Sequence, residues 1–207
     1  MGESIDRAGA LKQELRVEHD GSMSLPDQEA ARRCNDLFTA GTYGPCLASL
    51  QQLKGTRTIE TKLALNTVVC SYHQHGGGNV KGFFDELSRV KSGIEALKIS
   101  QQEQAGDDVA IVDVETALLR LNYAGAALRL RKYGTAEETL DGLFNSIEPL
   151  DEVLAIRLCM MLLDSLARGQ AGHKSPERAA QIMMQLEKTV KIVLDKASAA
   201  GVKGGEG

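Results

Sequence analysis

The sequence contains no tryptophan, and its aromatic residues together make up only 4% of the chain. Strands favour aromatic and β-branched side chains, so this shortage argues against a fold built on a sheet. The residues that are abundant, namely alanine, leucine, glutamine, glutamate and lysine, have high helix propensity. The composition therefore predicts an all-α protein.

A strong excess of one charge is also missing. The chain carries 24 Lys and Arg against 28 Asp and Glu, a formal net charge of -4 at pH 7. Such a charge keeps a protein soluble but gives no general attraction to phosphate backbones. We therefore expect no direct contact with nucleic acid.

No apolar run approaches the roughly 20 residues that cross a bilayer, and acidic residues occupy the start of the chain, where a signal peptide would be apolar. We therefore expect an intracellular protein with no membrane partner. The expected location is the cytoplasm, with the nucleus as a second possibility.

The cysteines do not form pairs of the C-x-x-C type. At least three of the four lie inside apolar helical stretches, and in a reducing compartment such residues are typical of small buried hydrophobic side chains. The four are Cys34, Cys46, Cys70 and Cys159.

One cluster has the residue types of a metal site, namely Cys70, His73 and His75 before three glycines. A zinc site needs about four ligands at defined distances, and no second cluster supplies the fourth. On a helix, Cys70 and His73 share a face while His75 points elsewhere. The cluster is therefore typical of a helix end, where histidine interacts with the last carbonyls. We expect neither a metal nor another cofactor.

Residue patterns that would support catalysis are not found either. The run from Gly76 to Gly78 lacks the preceding strand and the following Gly-Lys-Ser/Thr of a phosphate-binding loop, so it is typical of a flexible connector. Adjacent acids, such as Glu137-Glu138 and Asp151-Glu152, lie at helix starts. There they are typical of helix caps and not of a general acid and base. The sequence predicts no enzyme.

The chain divides into three parts. Residues 1–25 are polar and lack a long apolar stripe, so we expect a disordered lead-in. Residues 198–207 are rich in glycine, and we expect a flexible tail. Residues 26–197 divide into about eight helical segments separated by glycine or proline. Apolar residues three and four positions apart, such as Phe83, Leu87 and Val90, line one face of these segments.

Pairing the helical segments gives four hairpins, and the second helices of all four can be placed in one register. From a starting residue, the apolar positions follow after three, seven and ten residues. The four sets are Tyr43, Cys46, Leu50 and Leu53; Val80, Phe83, Leu87 and Val90; Tyr133, Ala136, Leu140 and Leu143; and Pro176, Ala179, Met183 and Leu186.

A small residue distinguishes three of these sets from a generic amphipathic helix. Cys46, Ala136 and Ala179 occupy the second place, where the two helices of a tetratricopeptide hairpin cross closely, whereas Phe83 breaks the pattern. Gly41 precedes Tyr43 as in the Gly-x-Tyr turn of that repeat. The sequence thus predicts an all-α, tetratricopeptide-like solenoid of about four antiparallel hairpins, with a closed helical bundle as the alternative.

Residues 121–164 also resemble a known protein family, the tenth subunit of the CCR-NOT (carbon catabolite repression, negative on TATA) mRNA deadenylase complex. The similar motifs are Leu143-Phe144, the block from Ile147 to Glu152, and Cys159 followed by Leu162-Leu163-Asp164. Gln185-Leu186-Glu187-Lys188 and the Gly41-x-Tyr43-x-x-Cys46 turn are similar as well. The resemblance covers about residues 26–195 and corresponds to the amino-terminal repeat part of a longer family.

This resemblance implies a non-catalytic scaffold subunit that acts in mRNA turnover and translational repression through protein contacts. The implied partners are the eleventh subunit and the large NOT scaffold of the same complex. The alternative is a generic tetratricopeptide adaptor, such as a chaperone co-factor that clamps acidic peptide ends with basic residues of its groove. The scarcity of Lys and Arg on the first helices counts against that adaptor.

Overall fold

The computed structural model describes residues 24–53, 57–102, 114–145, 151–169 and 176–202. Eight α-helices and no strand lie within these ranges, which confirms the predicted all-α class. The helices are α1 (Leu25–Thr39), α2 (Tyr43–Gln52), α3 (Arg57–Gln74), α4 (Val80–Gln102), α5 (Val114–Arg129), α6 (Tyr133–Phe144), α7 (Glu152–Arg168) and α8 (Pro176–Val202).

The predicted lead-in and tail fall mostly outside this description. Residues 1–23 and 203–207 are not among the described residues. At the far end, α8 continues to Val202, beyond residue 197, where the sequence pattern places the end of the repeat domain. The alanines at positions 197, 199 and 200 have high helix propensity and favour this continuation.

The chain forms two compact units that meet in sequence between Ala96 and Leu97. In the first unit, α1 packs closely on α2 and α2 on α3. In the second unit, α5, α6, α7 and α8 each pack on the next helix, and α5 also touches α7. Turns of a few residues join α1 to α2 and α5 to α6 and make the helices of these two pairs antiparallel. This stacking of each helix on its neighbour within a unit is the helical-hairpin arrangement that the sequence predicts.

Of the helix caps predicted from the sequence, the one at the start of α7 is present and the one at the start of α6 is not. Asp151 caps α7 by accepting the Leu154 backbone N–H at 2.9 Å, and Glu152 lies in the first turn, as predicted for this acidic pair. Thr135 stands three residues before Glu138 in the sequence, a spacing that predicts a capping box with Thr135 as the N-cap, and this prediction is wrong. Helix α6 begins two residues earlier, at Tyr133, so Thr135 already lies inside the helix and its carbonyl accepts the Thr139 hydroxyl.

Small side chains occupy the crossings of the first and third hairpins. Cys46 and Ala136 are both fully buried, and the Cys46 thiol donates a hydrogen bond to the backbone carbonyl of Cys34 on α1, 3.3 Å away. A side chain of α2 therefore touches the backbone of α1. A larger residue at this place would hold the two helices apart.

The second hairpin is built differently because Phe83 stands at the corresponding place. Its ring stacks on that of Tyr72 with centroids 4.2 Å apart, so two aromatic rings lie between α3 and α4. The Tyr72 hydroxyl also donates to the Gly77 carbonyl in the turn between these helices. The departure from the small-residue pattern that the sequence shows is thus accommodated by aromatic stacking.

The fourth hairpin also differs from the sequence register. Ile182 is fully buried on α8, whereas Met183, which the register places beside the crossing, is 53% exposed. The matching residues of the first and third hairpins, Leu50 and Leu140, are buried. Helices α3 and α7 pack on the helices that carry these two leucines, while no described helix follows α8.

We expect Ala136→Leu to lower the free energy of unfolding by about 1 to 3 kcal/mol, because three extra carbons at a fully buried position must push α5 and α6 apart. Glu138→Gln is the control, since Glu138 is exposed and should change stability by less than about 0.5 kcal/mol. Chemical denaturation of both variants tests this. A wild-type midpoint for Ala136→Leu would contradict the proposed crossing.

Candidate functional site

The first and third hairpins share one turn geometry. Gly41 has a positive φ of 74° after the end of α1. Its N–H donates to the Phe38 carbonyl at 2.9 Å, and the N–H of Thr42 donates to the Leu37 carbonyl at 2.9 Å. Together with the left-handed conformation of Gly41, these two bonds form a Schellman motif, which satisfies carbonyls in the last turn of the helix.

The turn after α5 repeats these bonds with a different residue at the left-handed place. Arg131 has a φ of 58°, its N–H donates to the Leu128 carbonyl at 3.0 Å, and the Lys132 N–H donates to the Ala127 carbonyl at 2.9 Å. A residue with a Cβ atom is strained in this conformation, whereas glycine is not. The third hairpin therefore has Arg-x-Tyr where the first has Gly-x-Tyr, and the backbone makes the same turn in both.

A second shared contact fixes the following helix. The Cys70 thiol on α3 donates to the Tyr43 carbonyl at 3.3 Å, and the Ser165 hydroxyl on α7 donates to the Tyr133 carbonyl at 3.2 Å. In both units, the tyrosine that begins the second helix offers its carbonyl to a buried side chain of the third helix. Sequence reasoning missed Ser165, because nothing in the local pattern distinguishes it from a surface serine.

The Cys70, His73 and His75 side chains do not converge. Cys70 is buried against Tyr43, and the His73 ring stacks on the Tyr43 ring with centroids 5.4 Å apart. His75 is exposed beyond the end of α3, where its Nδ1 lies 2.7 Å from the Ser71 carbonyl. Across the described residues, no group of three or more His, Cys, Asp or Glu side chains could hold a metal ion.

Three buried thiols meet in the first unit instead. Burial raises the pKa of the Cys34 thiol to about 11 and that of the Cys70 thiol to about 12, and it also raises the pKa of Cys46. Thiols with raised pKa values stay protonated and are poor nucleophiles near neutral pH. Cys34, Cys46 and Cys70 are therefore structural residues, as the sequence indicates.

The most distinctive surface lies in the second unit. Val153 and Met160 of α7 are 56% and 59% exposed, although they belong to an otherwise buried helix. On α8, the exposed large apolar side chains are Met183, Met184, Val190, Ile192 and Leu194. Apolar side chains concentrated on the outer faces of two adjacent helices are typical of a protein-binding surface, and methionine can adapt to varied partners.

Charged side chains near this surface tie the helices together. Lys196 of α8 pairs with Glu152 of α7, and Arg178 of α8 pairs with Asp141 of α6. The Arg178 guanidinium also lies over the Phe144 ring, 4.5 Å from its centroid. These acids thus hold neighbouring helices in place, which is a structural use of charge.

The described residues contain no helix that is long and apolar enough to span a membrane. The stacking of helices in hairpins defines the class of this protein, that of helical-hairpin proteins, and its exposed apolar side chains are the surface feature that a binding role would use.

The comparisons with known proteins narrow this class. Residues of this chain align at 27% identity over 194 residues, 90% of the chain, with CCR4-NOT transcription complex subunit 10-B of Xenopus laevis. They align at 26% identity over 191 residues with subunit 10-A of the same organism. The chain spans 24% of the length of each relative. The similarity to subunit 10 that the sequence motifs indicate is thereby confirmed.

No protein-family model matches the chain, and no solved structure matches it significantly.

We expect Gly41→Ala to lower the free energy of unfolding by about 1 to 2 kcal/mol, because its φ of 74° strains any residue with a Cβ atom. No atom lies within 4 Å of the added Cβ, so backbone strain is the sole cause. The control is Gly142→Ala inside α6, whose added Cβ also meets no atom within 4 Å and should stabilise the protein by about 0.5 to 1 kcal/mol.

Conversely, Arg131→Gly should stabilise the protein by up to about 1 kcal/mol, because glycine adopts the left-handed conformation without strain. Denaturant midpoints that fall for Gly142→Ala or stay unchanged for Gly41→Ala would contradict this account.

We expect stability to fall at alkaline pH because of the buried thiols. Their folded pKa values of about 11 and about 12 exceed the ordinary value of 9.0, so above pH 9 the unfolded chain loses protons that the folded chain retains. Each thiol should then lower the free energy of unfolding by about 1.4 kcal/mol per pH unit. Below pH 9 its contribution to the free energy of unfolding is constant. The Cys34→Ala/Cys70→Ala variant should show a shallower fall between pH 9 and pH 10 in denaturant unfolding. An equal slope in both proteins would exclude the thiols as its source.

Proposed function

We propose that this protein is a non-catalytic scaffold subunit of the CCR4-NOT deadenylase complex that acts in mRNA turnover and translational repression. The observation that carries this proposal is the alignment with two subunit 10 proteins over 90% of the chain. The similarity extends along the hairpins and is not limited to one motif. Similarity along the whole of these hairpins favours a similar stacking of helices in this chain and its relatives.

The disposition of the acidic residues supports a non-catalytic role. Asp151 caps α7, Glu152 pairs with Lys196, and Asp164 pairs with Arg168 at 2.6 Å. A deadenylase needs acids that converge on metal ions. Here these acids are engaged in contacts within and between helices, which suits a protein that positions other subunits.

The face of α7 that carries Val153 and Met160 is the surface we assign to a partner subunit. Other faces of the same helix are occupied, because the Met161 side chain lies 3.5 Å from the Cβ position of Gly125 on α5 and Ser165 bonds to α6. Arg157 lies between Val153 and Met160 on the same side of the helix, and burial lowers the pKa of its guanidinium below the ordinary value. The exposed apolar side chains of Val153 and Met160 suit a partner segment that presents apolar side chains of its own.

The partners we propose are the eleventh subunit and the large NOT scaffold of the complex, and the location is the cytoplasm or, alternatively, the nucleus. Fractionation of cells that express the tagged protein tests the location. The second hypothesis is a generic tetratricopeptide adaptor such as a chaperone co-factor. It predicts that chaperones, and not CCR4-NOT subunits, co-purify with the protein.

We expect the tagged protein to recover CCR4-NOT subunits from cells, as identified by mass spectrometry. Met160→Glu should lower this recovery about tenfold, which corresponds to about 1.4 kcal/mol, because a carboxylate would be buried against the apolar partner segment. The control is Leu25→Glu in the first unit, which changes a side chain that is 75% exposed at the start of α1 and should leave recovery unchanged. Both variants should keep the wild-type melting temperature, since both positions face solvent.

Recovery of chaperones in place of CCR4-NOT subunits would favour the adaptor. Full recovery of CCR4-NOT subunits with Met160→Glu would show that the partner does not bind at this face of α7.

A further inference from the structure

The turn between α5 and α6 concentrates positive charge. Arg129, Arg131 and Lys132 lie within a stretch of four residues, and all three side chains are exposed. We call these three residues the basic turn. Cations held so close together repel one another, and the repulsion falls when an anion binds between them. The basic turn is therefore a candidate site for a negatively charged partner.

The backbone of the basic turn is strained at its centre. Arg131 has a φ of 58°, and it is the one non-glycine residue with a positive φ among the described residues. The first hairpin has Gly41 at the same place of the same turn, so glycine is compatible with this backbone path. The arginine therefore costs stability that the turn itself does not require.

The Arg131 side chain does not offset this cost within the fold. Among the described residues it takes part in no hydrogen bond and no ion pair, whereas Arg168 and Arg178 each pair with an aspartate. A cation that interacts with the end of α5 is already present, because Arg129 lies in the last turn of that helix. A strained residue whose side chain has no such contact in its own chain is a sign of contact with another molecule.

We propose that the basic turn binds an acidic segment of another protein, with the Arg131 guanidinium as the central contact. A planar guanidinium binds a carboxylate through two parallel hydrogen bonds. Arg129 and Lys132 add positive charge on either side for the neighbouring carboxylates of the segment. This surface is distinct from the apolar face of α7, so the inference goes beyond the proposed function and does not rest on it.

The make-up of the basic turn favours carboxylates over the phosphates of a nucleic acid. Proteins that bind DNA tightly contact about 6 to 10 phosphates, and sites for single strands add aromatic side chains on which bases stack. The basic turn has three cations, and the adjacent aromatic residue, Tyr133, is half-buried at the start of α6. Three cations match a short run of Asp or Glu.

Fluorescence anisotropy of a labelled ten-residue polyglutamate peptide, titrated with the whole chain, tests the proposal. We expect saturable binding that weakens as the salt concentration rises, and no binding of a ten-residue polyglutamine peptide. Arg131→Gly should weaken binding about threefold to tenfold and yet raise the denaturant midpoint, because it removes the guanidinium and the strain together. A residue with a structural role alone would not change affinity and stability in opposite directions.

Two further variants separate charge from backbone conformation. Arg131→Gln keeps a Cβ atom but loses the charge, so it should weaken binding as much as Arg131→Gly does, without a rise in the denaturant midpoint. Arg131→Lys keeps the charge but not the paired hydrogen bonds, so it should weaken binding less than Arg131→Gln does. The matched control is Lys188→Gln, which removes one positive charge at an exposed residue of α8 and should leave the affinity unchanged.

Three outcomes would overturn the proposal. The first is the absence of saturable binding, or an affinity that neither Arg131→Gly nor Arg131→Gln changes. The second is an equal loss of affinity with Lys188→Gln, which would show that binding follows the net charge of the chain. The third is tighter binding of a ten-nucleotide single-stranded RNA with the same dependence on Arg131, which would assign the basic turn to nucleic acid.

Discussion

The close crossing of two helices in each regular hairpin is the contact on which the rest of the structure depends. At the first crossing, the Cys46 thiol reaches the backbone carbonyl of Cys34, a distance that only a small side chain permits. At the third, Ala136 is fully buried. Because the two backbones lie so near each other, the turn between the helices must be tight. The left-handed residue at that turn, Gly41 or Arg131, is a consequence of this constraint.

The crossing also determines how the next helix is attached. In both units, a buried side chain of the third helix, Cys70 or Ser165, donates to the carbonyl of the tyrosine that begins the second helix. A carbonyl oxygen has a second lone pair, so it can accept this bond besides its helical one. In each unit, the carbonyl at the same place in the hairpin thus positions the helix that follows the hairpin. Repetition of a local contact, and not a single central core, explains why each helix packs on its neighbour.

This mode of assembly leaves faces that function can use. A helix in the stack is covered by its predecessor and its successor, so residues on the remaining faces are free to bear apolar side chains for partners. Val153 and Met160 on α7 and the exposed apolar side chains of α8 are such residues. The titratable side chains serve structure: the thiols are buried and protonated, and acids cap helices or pair across them. Among the described residues, the exposed apolar side chains are the feature on which the proposed function rests.

The sequence by itself determined the helical class, most helix positions, and the small residues at two crossings, because these depend on propensity and on spacing along one helix. It also indicated that Cys34, Cys46 and Cys70 are buried. Only the tertiary structure decided which helix starts lack the predicted cap, as at Thr135, and how Phe83 is accommodated by Tyr72. It likewise decided that Ser165 bonds to Tyr133 and that Met183 stays exposed while Leu140 is buried. The physical reason is that a periodic pattern determines which residues share a face of a helix, whereas the helices packed on that face decide which of those residues are buried.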